Sequence, residues 1–367
     1  MQGLSQRNPI VNLTKIFSRK TSLRAGIAAL ALAGITGLGG TAQAQTVTLV
    51  ETGSSLLYPL FNLWVPDFTA ANPDIRISTT STGSGAGIAQ AIKGLVQIGA
   101  SDAYVSDAMS KKFANIMSIP LAISAQDINY NLPGVKTLKL SGPILAGIYM
   151  GTITKWDDPK IAAANPGVTL PDHTIIPIHR LDGSGDTFIF SQYLADSTPA
   201  WKSTLNYSTT ISWPAVPGGI GAKGNAGMLA AAAANPYSVA YIGISYAGKV
   251  AAAGLGTAAL KDADGEYVLP TPETIAAAAN SVVTDTPPDE RISMIFAQGP
   301  NAYPIVNYEY AVVSNSQPNG AVAGALQKFL TWAITTGNSP TYLDKVHFLA
   351  LPTAIQTLSQ TQIAKIQ

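Results

Sequence analysis

The chain has 367 residues, 47% of them hydrophobic, and its 22 Lys+Arg against 21 Asp+Glu give a formal net charge of +1. Only 12% of the residues are charged, about half the ~25% of ordinary soluble domains, which excludes a nucleic-acid binder built on clustered positive charge. Zero cysteine excludes disulfides, thiol catalysis, iron–sulfur clusters, thiolate zinc sites and a Cys-linked lipid anchor. At ~150 residues per domain the length predicts about two domains with sizeable cores.

Residues 1–44 read as a leader. Arg7, Lys15, Arg19, Lys20 and Arg24 supply positive charge, and no acid precedes Glu51. An apolar run from Ile27 to Leu38 follows, ending in Thr41-Ala42-Gln43-Ala44. Basic segment, short apolar segment and A-x-A site in that order predict a secretory signal peptide cleaved after Ala44. The run is shorter than the ~18–20 residues that span a bilayer. Arg19-Lys20 is not a twin-arginine pair, so general secretion is expected. The mature chain is then periplasmic or secreted and free of a lipid anchor. Losing five basic residues turns its formal charge from +1 to −4.

The mature chain alternates short apolar strands with one-faced helices. Val47–Val50 reads as a strand stopped by Thr52-Gly53-Ser54, and Leu57, Leu60, Phe61, Trp64 and Phe68 recur at helical spacing. Asn72-Pro73 closes that helix, and Ile75, Ile77 and Thr79 alternate as a strand. Ile88, Ala91, Ile92 and Leu95 predict a second helix, followed by a strand at Ile98–Ser101. The same grammar returns with a strand at Ile175–Ile178 and a helix through Phe188, Phe190 and Leu194, while the alanine runs 230–234 and 276–279 fit small helices. Such alternation predicts α/β layers with parallel strands.

Three strand-to-helix junctions share one chemistry: Glu51-Thr52-Gly53-Ser54-Ser55-Leu56-Leu57, Ser81-Thr82-Gly83-Ser84-Gly85-Ala86-Gly87 and Arg180-Leu181-Asp182-Gly183-Ser184-Gly185-Asp186-Thr187. Unpaired N–H groups at a helix start favour an anion, Gly admits close approach, and a Ser hydroxyl adds a donor. Any one of them is most simply a helix cap; three together, one with an Arg four residues before its Ser, point to an oxyanion pocket. None is a nucleotide loop, for Gly-Lys-Ser/Thr and G-x-G-x-x-G are both missing.

Asp102 and Asp186 lie beside these junctions. A carboxylate repels an anion unless the anion brings a proton to donate, which hydrogen phosphate and dihydrogen phosphate do and sulfate at neutral pH does not. Taken alone, Asp186 reads first as a first-turn acid against the helix dipole, and Asp102 is equally readable as a helix or turn cap. An enzyme is poorly motivated: Ser184 and His179 lie five apart across a strand end without a G-x-S-x-G elbow, and His173, His179 and His347 lack metal spacing.

These residues, with IGASDA, YNLPGV, KWDDPKIAAANPG, KGNAGM, VAYIGISYA, YPIVNYEY and FLTWAITTG, make the chain resemble the periplasmic phosphate-binding proteins of phosphate-specific ABC transporters. The resemblance implies a type II periplasmic binding-protein fold, with two α/β lobes, crossing hinge strands and one phosphate in the cleft. It implies a first lobe of residues 45–125 plus 303–367 and a second of 126–302, with hinges near Ile123–Leu132 and Tyr303–Tyr310. By motif, Ser55 and the Leu56 N–H, Ser84, Asp102, Arg180, Ser184, the Gly185 N–H and Asp186 would contact phosphate, and Asp182 would hold Arg180. Many relatives carry Thr where this chain has Asp186. No cofactor and no metal is implied. The implied partners are inorganic phosphate and the permease subunits of an ABC transporter, whose ATPase acts indirectly, with the chain a monomer. The competing expectations are a receptor for sulfate or molybdate, a serine-dependent phosphate-ester hydrolase, and a surface role without transport.

Overall fold

The structure, a computed structural model, describes residues 46–367; the expected leader lies outside them. The strand Val47–Gly53 pairs in parallel with Ile75–Ser81 on one edge and Ile98–Ser101 on the other. The helices Tyr58–Ala71 and Ser84–Ile92 make the crossovers, as parallel pairing requires. Leu60, Phe61, Trp64 and Phe68 are buried on one face of the first. Phe68 and Phe61 meet Phe329 of the helix Gly320–Ile334, ring centroids 5.1 and 5.8 Å apart.

A second parallel set repeats this plan. Ile176–Arg180 lies between Ser238–Gly243 and Ile220–Ala222, with the helices Gly185–Ser197 and Gly224–Ala234 in the connections. One 16-residue strand, Ile116–Asn131, joins the sets. Ile116 to Ala125 pair with the returning strand Val306–Ser314, and Gln126 to Asn131 pair with Ser238–Gly243, all antiparallel. Val306–Ser314 bonds Ile98–Ser101 on its other edge, so one continuous sheet runs through two α/β lobes.

The sequence pattern placed Leu95 on the buried face of the second helix, and the structure corrects this. The helix ends at Ile92, Gly94 turns the chain at φ +66°, and Leu95 is 64% exposed. A glycine at a left-handed position is a helix stop, and it outweighs the spacing. The strand read as Ile175–Ile178 runs on to Arg180, which sets that arginine at the carboxyl end of the sheet.

Candidate functional site

The three glycine–serine junctions meet at the carboxyl ends of the two parallel sets, where open α/β sheets form their crevice. Contact between them is direct. The Gly85 N–H donates to the Gly183 carbonyl at 2.9 Å, and a Cβ on Gly185 would run into Asp102 and Ser84. Gly83 adopts φ +91° with Asp182 and Gly183 against it. Only residues without side chains let the two lobes approach this closely.

Arg180 is the cation of the site, its side chain 1% exposed. Its Nε donates to Asp182 Oδ1 at 2.8 Å and its Nη2 to Asp182 Oδ2 at 2.5 Å, a bidentate fork; Nη1 donates to Asp186 Oδ2 at 2.5 Å. Burial opposes the charge, but these carboxylates hold the guanidinium above its ordinary value. Burial likewise opposes Asp182, and Arg180 with the Gly224 N–H keeps it below the usual carboxylate range. Three of the five guanidinium N–H groups are engaged and two remain to donate. Behind Arg180, Tyr241 accepts from its backbone N–H at 2.8 Å and lies 2.8 Å from Thr187 Oγ1, so the strand end and the next helix start are pinned together.

Asp186 is not a simple dipole-facing acid. It is 1% exposed and takes, besides Arg180, the amides of Gln126 at 3.1 Å on Oδ1 and Asn225 at 2.9 Å on Oδ2. Burial pushes its carboxyl up from the ordinary range, and Arg180 pulls it back. Asn225 begins the helix Gly224–Ala234 and ties three parts of the site together. Its backbone N–H and its amide each reach Ser55 Oγ at 3.0 Å, and its carbonyl accepts the Gly243 N–H at 2.8 Å.

The first lobe supplies hydroxyls. Ser54 Oγ accepts the N–H groups of Leu56 and Leu57 at 3.0 Å each and donates to Asp102 Oδ1. The Leu56 N–H is thus engaged by Ser54. Ser55 Oγ accepts twice from Asn225, which leaves its own O–H to donate. Ser84 donates to Asp102 Oδ2 at 3.3 Å and accepts the Asp102 N–H at 3.2 Å. Ser184 Oγ accepts the Thr187 N–H at 3.2 Å and also keeps its O–H. Among the described residues, the N–H groups of Ser55 and Gly185 have no protein acceptor. The site is closed: Ser55, Leu56, Ser84, Asp102, Arg180, Ser184 and Asp186 are all buried.

Asp102 faces a second acid, Glu309, on the returning strand. Burial, then the charges of Glu309 and Asp186, raise Asp102 well above its ordinary value. Glu309 is pushed up to about 7 by burial, against hydrogen bonds from Ser124, Asp102 and Asn307. Sequence reasoning missed Glu309, Gln126 and Asn225. The first two are polar residues inside buried strands, and Asn225 opens a helix after the strand Ile220–Ala222, a fourth instance of the junction grammar. The His179 ring stacks on Trp213 with centroids 5.0 Å apart, and among the described residues no base is hydrogen-bonded to Ser184 Oγ.

Donors from the helix starts of two lobes, closing around a buried guanidinium across crossing strands, define a two-lobed binding protein. Residues 39–336 match the PBP superfamily domain. The phosphate-binding protein PstS of Methanocaldococcus jannaschii is 36% identical over 320 residues, 82% of this chain and 81% of the relative. That of Xylella fastidiosa (strain Temecula1) is 33% identical over 312 residues, 84% and 83% of the two chains. In fold, the chain is similar to a high affinity periplasmic phosphate-binding protein, PfluDING, with TM-score 0.70, 20% identity and coverage of 86% and 93%. It is similar also to a phosphate-binding protein from Stenotrophomonas maltophilia, with TM-score 0.66, 19% identity and coverage of 86% and 94%. The chain belongs to the PBP superfamily, in the family of the PstS phosphate-binding proteins, and has the type II periplasmic binding-protein fold.

Proposed function

We propose that the chain binds inorganic phosphate between its lobes, outside the cytoplasmic membrane, and delivers it to the permease subunits of an ABC transporter. The observation that carries this reading is Arg180, a buried guanidinium with two N–H groups to spare, set among the free hydroxyls of Ser55 and Ser184 and the free N–H groups of Ser55 and Gly185. Fixed donors of this kind suit a small, fully enclosed oxyanion. Asp102 and Asp186 select an anion that brings its own proton. Ser55, Leu56, Ser84, Asp102, Arg180, Ser184, Gly185 and Asp186 form the contact set. The Leu56 N–H acts through Ser54, or turns to the ligand when Ser54 rotates.

The lobes are residues 45–125 with 303–367, and 126–302; the exchange of strand partners between Ala125 and Gln126 supports that boundary. Phosphate would bridge donors of both lobes and favour the closed form, which docks on the permease as a monomer. Ser184 serves as a donor and not as a nucleophile, and the protein is a carrier without catalysis. Among the described residues no helix is long and apolar enough to cross a membrane. Calorimetric titration of the purified mature chain tests the reading: phosphate should bind and sulfate at equal concentration should fail to compete. Binding of sulfate with no heat from phosphate would assign a different oxyanion.

A further inference from the structure

Gln126 turns its side chain to Asp186, and alternation along the strand puts the next side chain, Asp127, on the opposite face of the sheet. There Asp127 lines a cavity of about 480 Å³, walled also by Ile244, Leu269, Ile275, Phe348 and Asp344. That volume suits a small organic molecule. Most of the wall is apolar. Two acids are set in it, Asp127 at 3% exposure and the exposed Asp344, together with His347. Among the described residues, no lysine or arginine lines it.

Asp127 is a buried acid without a partner. Its Oδ1 meets no hydrogen-bond donor among the described residues, and burial pushes its carboxyl up with no cation to pull it back. A buried polar group left in this state is costly, and native structures seldom keep one without a use. The cavity also straddles the point where the crossing strand changes partners. Ahead of that point, Leu349 and Ile123 exchange both backbone hydrogen bonds at 2.9 Å. Beyond it, Thr257 pairs with Asn129, and the Ala258 N–H donates to the Ile128 carbonyl at 2.9 Å. One wall is thus anchored to the first lobe and the other to the second, with Asp127 between the anchors.

We propose that this cavity is a second ligand site, which takes a small apolar amine as its ammonium ion, and that its occupant favours the closed arrangement of the lobes. The ammonium group donates to Asp127, a charge-assisted hydrogen bond that supplies the missing partner. The hydrocarbon body replaces water against Ile244, Ile275 and Phe348. An anion would meet two acids and no Lys or Arg in the wall. Parting of the lobes displaces one wall against the other, so a ligand touching both prefers the closed form, and by linkage it tightens phosphate binding. That effect on phosphate rests on the phosphate reading above; the amine site stands apart from it.

The test titrates phenethylammonium chloride into the mature chain by calorimetry, beside 2-phenylethanol, its neutral analogue of similar size. The amine should bind wild type, and the alcohol about tenfold more weakly. Asp127→Asn keeps the shape and loses the charge; it should weaken the amine about tenfold and leave phosphate binding in its absence unchanged. Saturating amine should tighten phosphate about fivefold in wild type. An amine that binds no better than the alcohol, or equally well to Asp127→Asn, overturns the site; phosphate affinity indifferent to bound amine overturns its link to closure. A chain that takes the amine and no phosphate refutes the phosphate reading alone. If Asp127→Asn does not fold, Leu269→Arg serves instead. Leu269 is 48% exposed, and a guanidinium in the wall should abolish amine binding; retained binding refutes the proposal.

Discussion

Asn225 donates to Ser55 Oγ twice, from its backbone N–H and from its side-chain amide, each at 3.0 Å across 170 positions of sequence. The same amide reaches Asp186 at 2.9 Å, so one residue spans the cleft and aims the acid of the opposite junction. Asn225→Ala keeps the backbone bond to Ser55 but removes the side-chain bonds to Ser55 and Asp186 and strips Gly243 of its acceptor. At about 1 kcal/mol per buried hydrogen bond, the one side-chain bond lost across the lobes weakens phosphate binding roughly 5-fold. Calorimetry reads this directly, and an unchanged affinity would show that closure does not depend on Asn225.

Gly185→Ala places a methyl group against Asp102 and Ser84. Both belong to the other lobe, so the overlap burdens the closed form and spares the open one. Overpacking costs about 1–3 kcal/mol. The expected outcome is a protein that folds normally but fails to compact with phosphate in small-angle scattering, with affinity reduced roughly 30-fold.

Asp186→Thr tests the second acid of the site. An ionised Asp186 favours dihydrogen phosphate, whose share of total phosphate declines as pH rises through neutrality, so wild-type affinity for total phosphate should decline too. Threonine carries a donor and no charge, and the slope should flatten. A flat wild-type profile between pH 6 and pH 8.5 contradicts the role given to Asp186.

Asp127 follows the partner exchange in the crossing strand and is 3% exposed, with Oδ1 unpaired among the described residues. Burial pushes its carboxyl up to about 8, above the ~3.9 of an unfolded chain. The folded state therefore prefers the protonated form: the stability tied to that proton is complete below about pH 4 and lost as pH rises towards about 8. Asp127→Asn removes the dependence. At about 1.4 kcal/mol per pH unit, with relaxation of the buried site discounted, it should raise stability by roughly 2 kcal/mol at pH 8 relative to pH 4. Urea unfolding at the two pH values measures it; an equal effect at both would place the charge of Asp127 outside the folding balance.

Local rules carried the sequence a long way. Apolar spacing in the first helix and strand alternation at Ile75–Thr79 are set by neighbours a few residues apart, and those elements formed where the pattern put them. Leu95 failed because Gly94 overrides periodicity through a single backbone angle. The site divides in the same way. Ser84, Arg180 and Ser184 stand in local Gly–Ser grammar and were legible. Gln126, Asn225 and Glu309 act through partners 39 to 185 positions away, and a one-dimensional pattern gives a polar residue in a buried strand no address. That Ser54, and not only Ser55, serves the first junction depends on which hydroxyl turns back to cap the helix, a choice made by geometry after folding.

The partner exchange of the crossing strand falls between Ala125 and Gln126. The Gln126 N–H donates to the Ile305 carbonyl at 3.0 Å, its carbonyl accepts the Tyr303 hydroxyl at 2.9 Å, and its side chain holds Asp186. The axle on which the lobes would turn and the grip that would sense the cargo therefore share a residue. A charge arriving at Asp186 would thus meet a side chain whose own backbone is bonded to the returning segment at Tyr303 and Ile305, with one hydrogen bond between the two.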